Sequence, residues 1–258
     1  MKPKTIFCDL DETLLNDEKV ITPRTLAAIK RSQSLGHIII PCTGSSYQQQ
    51  FPRCKDADFD YMITSNGAFI YDLKNNTVIH QNIMTPETSK QFIKDTRNYC
   101  TDYFIHTGLT SFHLAKTEKP NLNGVTQIIP HKINYENALA LYELMQTLNK
   151  KLGLRIANTN LHFDEPSHAK SDDFAFDIIN ESASKGLGVL KLMQALGIDK
   201  KDTVAIGDGL NDIAMFEQVN YKVAMGNALD KVKAQADRIV ASNNHDGVAE
   251  YLESFSEV

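Results

Sequence analysis

The chain has 258 residues, 42% of them hydrophobic and 23% charged, and carries a net charge of −5. Such a length and composition fit one or two soluble globular domains with a substantial core. The acidic balance argues against a nucleic-acid partner, which requires a basic patch or stripe. No stretch approaches the roughly eighteen apolar residues of a membrane span, and Asp9 interrupts any apolar leader near the start. No membrane partner is therefore expected. Cys8, Cys42, Cys54 and Cys100 include no CxxC pair, which fits a reducing, cytoplasmic setting.

Residues 5–8 are an uncharged, β-prone run that stops at Asp9, Asp11 and Glu12. Two carboxylates so close in sequence repel, and a bound cation would remove that cost. Thr22-Pro23 is a helix start, apolar residues at helical spacing continue to Leu35, and Gly36 is a natural stop. Residues 37–42 form a second apolar strand, which ends in Thr43-Gly44-Ser45-Ser46. Strand, helix and strand at this spacing make a right-handed βαβ unit with a parallel pair. A third strand over 61–64 ends in Ser65-Asn66-Gly67-Ala68, and residues 69–71 and 77–80 flank a hairpin turn.

The pattern changes near Met84. A helix is expected over 85–99, then strands over 103–106 and 111–115, and a polar stretch with Pro and Asn over 117–131. A helix over 135–151 and strands near 154–157, 161–164 and 173–179 complete an α+β module. From Ser184 the α/β pattern returns, with a helix to Leu196 closed by Gly197. A strand over 203–206 runs into Gly207-Asp208-Gly209-Leu210-Asn211-Asp212. Short strands over 222–225 and 238–241, a helix over 228–236 and a last helix over 246–254 follow.

The expected organisation is a discontinuous core, residues 1–82 and 183–258, with an inserted module over 83–182. Open parallel sheets bind ligands at the carboxyl ends of their strands. Asp9, Asp11, Thr43, Asn66, Asp208, Asn211 and Asp212 all fall there.

Asp9-Leu10-Asp11-Glu12-Thr13 resembles the first motif of the haloacid dehalogenase-like superfamily, DxDx(T/V). Thr43-Gly44 resembles its second motif, Lys185 its third, and Gly207 to Asp212 its fourth. The insertion, Ser65 to Ala68, Ser184-Lys185-Gly186 and Asn244 to Ala249 are similar to the Cof-type phosphatases of subclass IIB. The implied fold is α/β: a Rossmann-like three-layer core with a mainly parallel sheet, plus an α+β cap that closes over the leaving group, excludes water and sets specificity.

The resemblance also implies a mechanism. Asp9 is the nucleophile that forms an aspartyl-phosphate, and Asp11 is the general acid and then the base. Mg²⁺ is held by the Asp9 carboxylate, the Asp11 backbone carbonyl and the Asp208 carboxylate, with Asp212 and Gly209 supporting that site. Phosphate oxygens meet the Thr43 hydroxyl, the Leu10 and Gly44 N–H groups, Lys185 and the Asn211 amide. Asn66 contacts phosphate or substrate. The implied partner is a small phosphorylated metabolite, sugar phosphates foremost, with flavin-pathway phosphates and pyridoxal phosphate beside them. A non-catalytic phosphometabolite sensor and a phosphomutase are the alternatives.

Two positions depart from the subfamily pattern. Glu12 stands where Gly is frequent, and Ser45 where Arg is frequent. His106, His113, His162 and His168 fall in the inserted module and read as ordinary surface or core histidines.

Overall fold

The run 5–8 forms the central strand β1 (Thr5–Cys8), in a computed structural model that describes residues 4–159 and 174–256. Every residue of β1 is buried, which is why its sequence shows no polar alternation. It pairs in parallel with β2 (Ile38–Pro41) on one side and β11 (Thr203–Gly207) on the other. Beyond β11 lie β12 (Tyr221–Ala224) and β13 (Arg238–Ile239), also parallel, in the order β13-β12-β11-β1-β2.

Around this sheet lie α1 (Pro23–Ser34), α5 (Lys185–Leu196), α6 (Ile213–Phe216), α7 (Asp230–Lys233) and α8 (Gly247–Glu253). Ile29, Val189, Leu192, Met215, Val232 and Leu252 from these helices share one core with Ile6, Phe7, Ile40 and Ile206. The α1 start is capped by the Thr22 side chain, which accepts the Thr25 N–H.

Residues 61–64 form β3 (Tyr61–Thr64), which packs in the same core as the parallel sheet and, among the described residues, pairs with it by an isolated bridge between Cys42 and Ile63. It instead heads a three-stranded sheet with its antiparallel neighbour β4 (Phe69–Asp72) and with β5 (Thr77–Gln81). Between β2 and β3 lies α2 (Tyr47–Cys54), a helix absent from the sequence reading. Ser46 and Gln49 form a reciprocal capping box at its start.

By its internal contacts the chain divides into Met1–His80 with Ser184–Val258, and Gln81–Ala183. The second unit has an antiparallel sheet ordered β7-β6-β8-β10-β9. Its strands are β6 (Asp102–Thr107), β7 (Thr110–His113), β8 (Gln127–His131), β9 (Leu154–Thr159) and β10 (Phe176–Asn180). Phe92 of α3 (Pro86–Thr96) and Leu141 and Met145 of α4 (Tyr135–Leu152) pack with Ile105, Ile128 and Ile178 of the sheet.

β8 corrects the expectation of a polar stretch over 117–131. Pro130 argues against an interior strand, yet β8 lies between β6 and β10. Its register with β10 pairs Ile178 with Ile128, so the proline lies two residues past that pairing. The strand expected near 161–164, His162 and His168 lie outside the described residues. Among the described residues no helix is long and apolar enough to cross a membrane.

Candidate active site

Asp9 follows β1 directly, and its N–H donates to the Ile206 carbonyl of β11 at 2.9 Å. This continues the β1–β11 ladder by one residue and fixes the Asp9 backbone. The side chain is buried, with Oδ1 2.5 Å from the Lys185 ammonium. Lys185 is the first residue of α5, after the N-cap Ser184, and it too is buried. Its Nζ also lies 2.6 Å from Asp212 Oδ1. The other Asp212 oxygen accepts the Asp208 N–H at 3.0 Å and the Gly209 N–H at 2.9 Å. Asp212 thus spends one oxygen on the lysine and one on folding the loop that carries Asp208. Asp208 Oδ1 accepts the Thr13 hydroxyl at 2.6 Å.

α5 can place Lys185 here because its first turn lies tight against two neighbours. A Cβ on Gly186 would stand 2.1 Å from the Ala214 carbonyl oxygen. One on Gly67, whose φ is +88°, would stand 2.0 Å from the Ser184 carbonyl oxygen. Backbone meets backbone at both points, so only glycine fits.

Asp11 is surrounded differently. Gln50, buried on α2, donates its amide to Asp11 Oδ2 at 2.7 Å, and the Ser45 hydroxyl reaches the same oxygen at 3.5 Å. Lys19 Nζ lies 3.2 Å from Oδ1 and the Arg53 guanidinium 3.9 Å from it. Gln50, Lys19 and Arg53 were missed in the sequence. The Ser46-x-x-Gln49 capping signature was the available signal, since a helix starting there turns Gln50 and Arg53 back toward the strand ends.

Glu12 is exposed and has φ +62°. Its carbonyl is pinned by the Asn227 amide at 2.8 Å. A left-handed conformation costs a non-glycine residue roughly 1–2 kcal/mol, partly offset by the chain entropy glycine loses, about 0.5–1 kcal/mol. The balance of the two favours glycine at this position. Glu12→Gly is expected to raise Tm by about 2 °C in a thermal melt; a lowered Tm would show that the Glu12 side chain stabilises the turn.

Thr43, Gly44, Asn66 and Asn211 come from three further segments. The Thr43 N–H donates to the Ile63 carbonyl and the Asn66 N–H to the Thr43 carbonyl, at 2.9 and 3.1 Å. The buried Thr43 hydroxyl accepts the Ser45 N–H at 3.0 Å, which leaves its own proton to donate. Asn66, also buried and at φ +51°, offers Nδ2 to the Gly44 carbonyl at 3.4 Å and accepts the Asn211 amide at 3.1 Å. Asn211 and Asn66 therefore orient one another.

Three carboxylates, of Asp9, Asp208 and Asp212, lie with one oxygen each within 4.8 Å of the others. Burial pushes Asp9 well above the usual carboxylate range, with Asp212 and Asp208 adding to the rise and Lys185 opposing it. Burial likewise raises Asp208, to about 6. Burial alone would depress the Lys185 ammonium, but Asp212 and Asp9 hold it well above its usual value. One lysine thus faces three acids, and the cluster retains a deficit of positive charge. A donor set made wholly of carboxylate oxygen suits a hard divalent ion such as Mg²⁺.

A carboxyl whose pKa is higher in the folded than in the unfolded chain favours the fold while protonated. The contribution of Asp208 is complete below its ordinary value of 3.8 and is lost as pH rises through about 6. In EDTA, Asp208 therefore contributes less stability at pH 7 than at pH 4, and Mg²⁺ should raise Tm more at pH 7 than at pH 5. Equal Mg²⁺ shifts at both pH values would contradict this.

The family pattern of haloacid dehalogenase-like hydrolases matches residues 6–252. Over 280 aligned residues the chain is 29% identical to the 5-amino-6-(5-phospho-D-ribitylamino)uracil phosphatase YwtE of Bacillus subtilis, covering 97% of each. It is 27% identical to the pyridoxal phosphate phosphatase YbhA of Escherichia coli, covering 98% of this chain and 99% of that one. A crystal structure of a haloacid dehalogenase-like hydrolase from Bacteroides thetaiotaomicron has the same fold, with a TM-score of 0.82 at 22% identity, covering 98% of this chain and 100% of that one.

Proposed function

This chain belongs to the haloacid dehalogenase-like hydrolase family, and from that premise we propose that it is a phosphatase cleaving phosphate monoesters of small metabolites at the Asp9 cluster. The observation that carries this reading is the Lys185 ammonium held between Asp9 and Asp212, with Asp208 folded into the same group. Lys185 enters from the start of a helix, where an anion is also favoured by the backbone dipoles.

In this reading a carboxylate oxygen of Asp9 attacks the phosphorus and the ester P–O bond breaks. The departing alkoxide takes a proton from the Asp11 carboxyl. Water then attacks the phosphorus of the aspartyl-phosphate, gives its proton to Asp11, and frees Asp9 and inorganic phosphate. The Gln50 amide keeps the Asp11 carboxylate aimed through both proton transfers. The Thr43 hydroxyl, the Leu10 and Gly44 N–H groups, Lys185 and the Asn211 amide donate to the phosphoryl oxygens. Asp9, Asp208 and the Asp11 carbonyl would hold Mg²⁺, whose charge screens the anionic nucleophile from the anionic ester. Asp212 supports this arrangement through its bonds to Lys185 and to the loop N–H groups.

We assign the chemistry to the unit Met1–His80 with Ser184–Val258, because every residue of the cluster lies on it, and substrate choice to Gln81–Ala183. Sugar phosphates remain the leading class. The two relatives named for pyridoxal phosphate and for 5-amino-6-(5-phospho-D-ribitylamino)uracil support testing those esters beside them. The experiment is phosphate release from such a panel and from p-nitrophenyl phosphate, with Mg²⁺ and with EDTA. Release that requires Mg²⁺ is expected. A protein that binds these esters and turns over none of them would be a sensor instead.

A further inference from the structure

A second group of ionisable side chains, none of them used in the chemistry above, converges within the Gln81–Ala183 unit. Asp102 opens β6, His113 closes β7 and His131 closes β8. The strand register sets His131 directly opposite Asp102 and His113 directly opposite Phe104. Opposed residues, and residues two apart on one strand, project from the same face of a sheet. All three groups therefore meet on one face at one end of three adjacent strands.

Their geometry is specific. Asp102 Oδ2 lies 2.8 Å from His113 Nδ1 and 3.6 Å from His131 Nε2. One donor atom of each residue lies within 4.8 Å of the other two. The second Asp102 oxygen accepts the N–H groups of Tyr103 at 2.8 Å and Ala115 at 3.0 Å, so the carboxylate cannot turn away from the rings. The Phe104 ring packs 4.8 Å from the His113 ring, and the two imidazole centres are 5.4 Å apart. The His113 side chain is 36% exposed, that of His131 17% and that of Asp102 10%, so the group opens to solvent on its His113 side and is otherwise built into the sheet.

We propose that Asp102, His113 and His131 form a binding site for a divalent transition-metal ion of the zinc type. Two imidazole nitrogens and one carboxylate oxygen are the donors such an ion prefers, whereas Mg²⁺ takes oxygen and belongs with the all-oxygen cluster at Asp9. Three protein ligands leave a fourth position for water or a ligand atom from solvent. The ion ties β7, β6 and β8 together at one end, and the backbone bonds to Asp102 serve as its outer support.

The test uses the whole protein, stripped with EDTA and returned to excess Mg²⁺ to occupy the Asp9 cluster. Zn²⁺ is then titrated against a chromophoric zinc indicator. A single tight equivalent is expected, weakened at least about tenfold in His113→Asn and in His131→Asn, and kept in Asp208→Asn. Circular dichroism verifies that each variant is folded. In the unaltered protein, Zn²⁺ should shift the imidazole resonances of His113 and His131, a readout that needs no variant. Failure to hold Zn²⁺ against the indicator, equal affinity in the histidine variants, or loss only in Asp208→Asn would overturn the site. None of these results depends on phosphatase activity, so this site and the assignment at Asp9 stand or fall separately.

Discussion

Asp9→Asn is expected to lower kcat for p-nitrophenyl phosphate by about 10⁴-fold or more while the protein stays folded. An amide of the same shape keeps the packing around residue 9, but it is a poor nucleophile. The buried lysine loses one of its two carboxylate partners and keeps the other, Asp212. The substitution also removes one of three crowded acids, two of which burial has already pushed toward protonation. Stability without Mg²⁺ is therefore expected to hold or rise, which separates a catalytic loss from an unfolding one. Near-full turnover in the variant would take Asp9 out of the chemistry.

Lys185→Met should act in the opposite sense on stability. Lys185 is the cation that bonds both buried acids, Asp9 and Asp212. Removing one partner of a buried ion pair leaves the other charge uncompensated, at a cost of about 3–5 kcal/mol. Methionine fills much of the volume, so the loss is electrostatic rather than a cavity. Urea unfolding in EDTA near neutral pH is expected to show that loss, with part of it recovered on adding Mg²⁺ or on lowering the pH, since either quenches the bare carboxylates. Turnover should fall as well, because the phosphoryl group loses its buried cation. An unfolding midpoint unchanged from the parent would mean that the lysine is not the counter-charge of this cluster.

How much of this was legible in the sequence depended on whether the signal was local. The strands before Asp9, Thr43 and Asp208 could be read because each is a short apolar run that ends abruptly in polar residues, the pattern of strands buried on both faces. The start of α5 could be read because Ser184 and Gly197 bracket an apolar helical stretch. By contrast α2 was hidden: three glutamines and an internal proline blur its period, and the residue it brings to Asp11, Gln50, carries no charge to draw notice. β8 was hidden by Pro130 and the polar stretch before it.

The Asp102, His113 and His131 group was illegible for a different reason. His113 reads as ordinary, and His131 went unnoticed at the end of the stretch read as polar. Only the pairing of β6 with both β7 and β8 brings them to one carboxylate, and that register is set by loops whose sequence does not announce it. The tight approach of Gly67 and Gly186 to neighbouring backbone is likewise a tertiary fact, visible only once α5 is docked.

The central claim, that the phosphoryl group passes through Asp9, is tested most directly by trapping it there. The enzyme is acid-quenched during turnover, reduced with borohydride, and the peptide containing residue 9 is sequenced by mass spectrometry. Homoserine at position 9, formed only when substrate is present, is the predicted result. Rapid phosphate release with aspartate intact at position 9, or an adduct on another carboxylate, would contradict it.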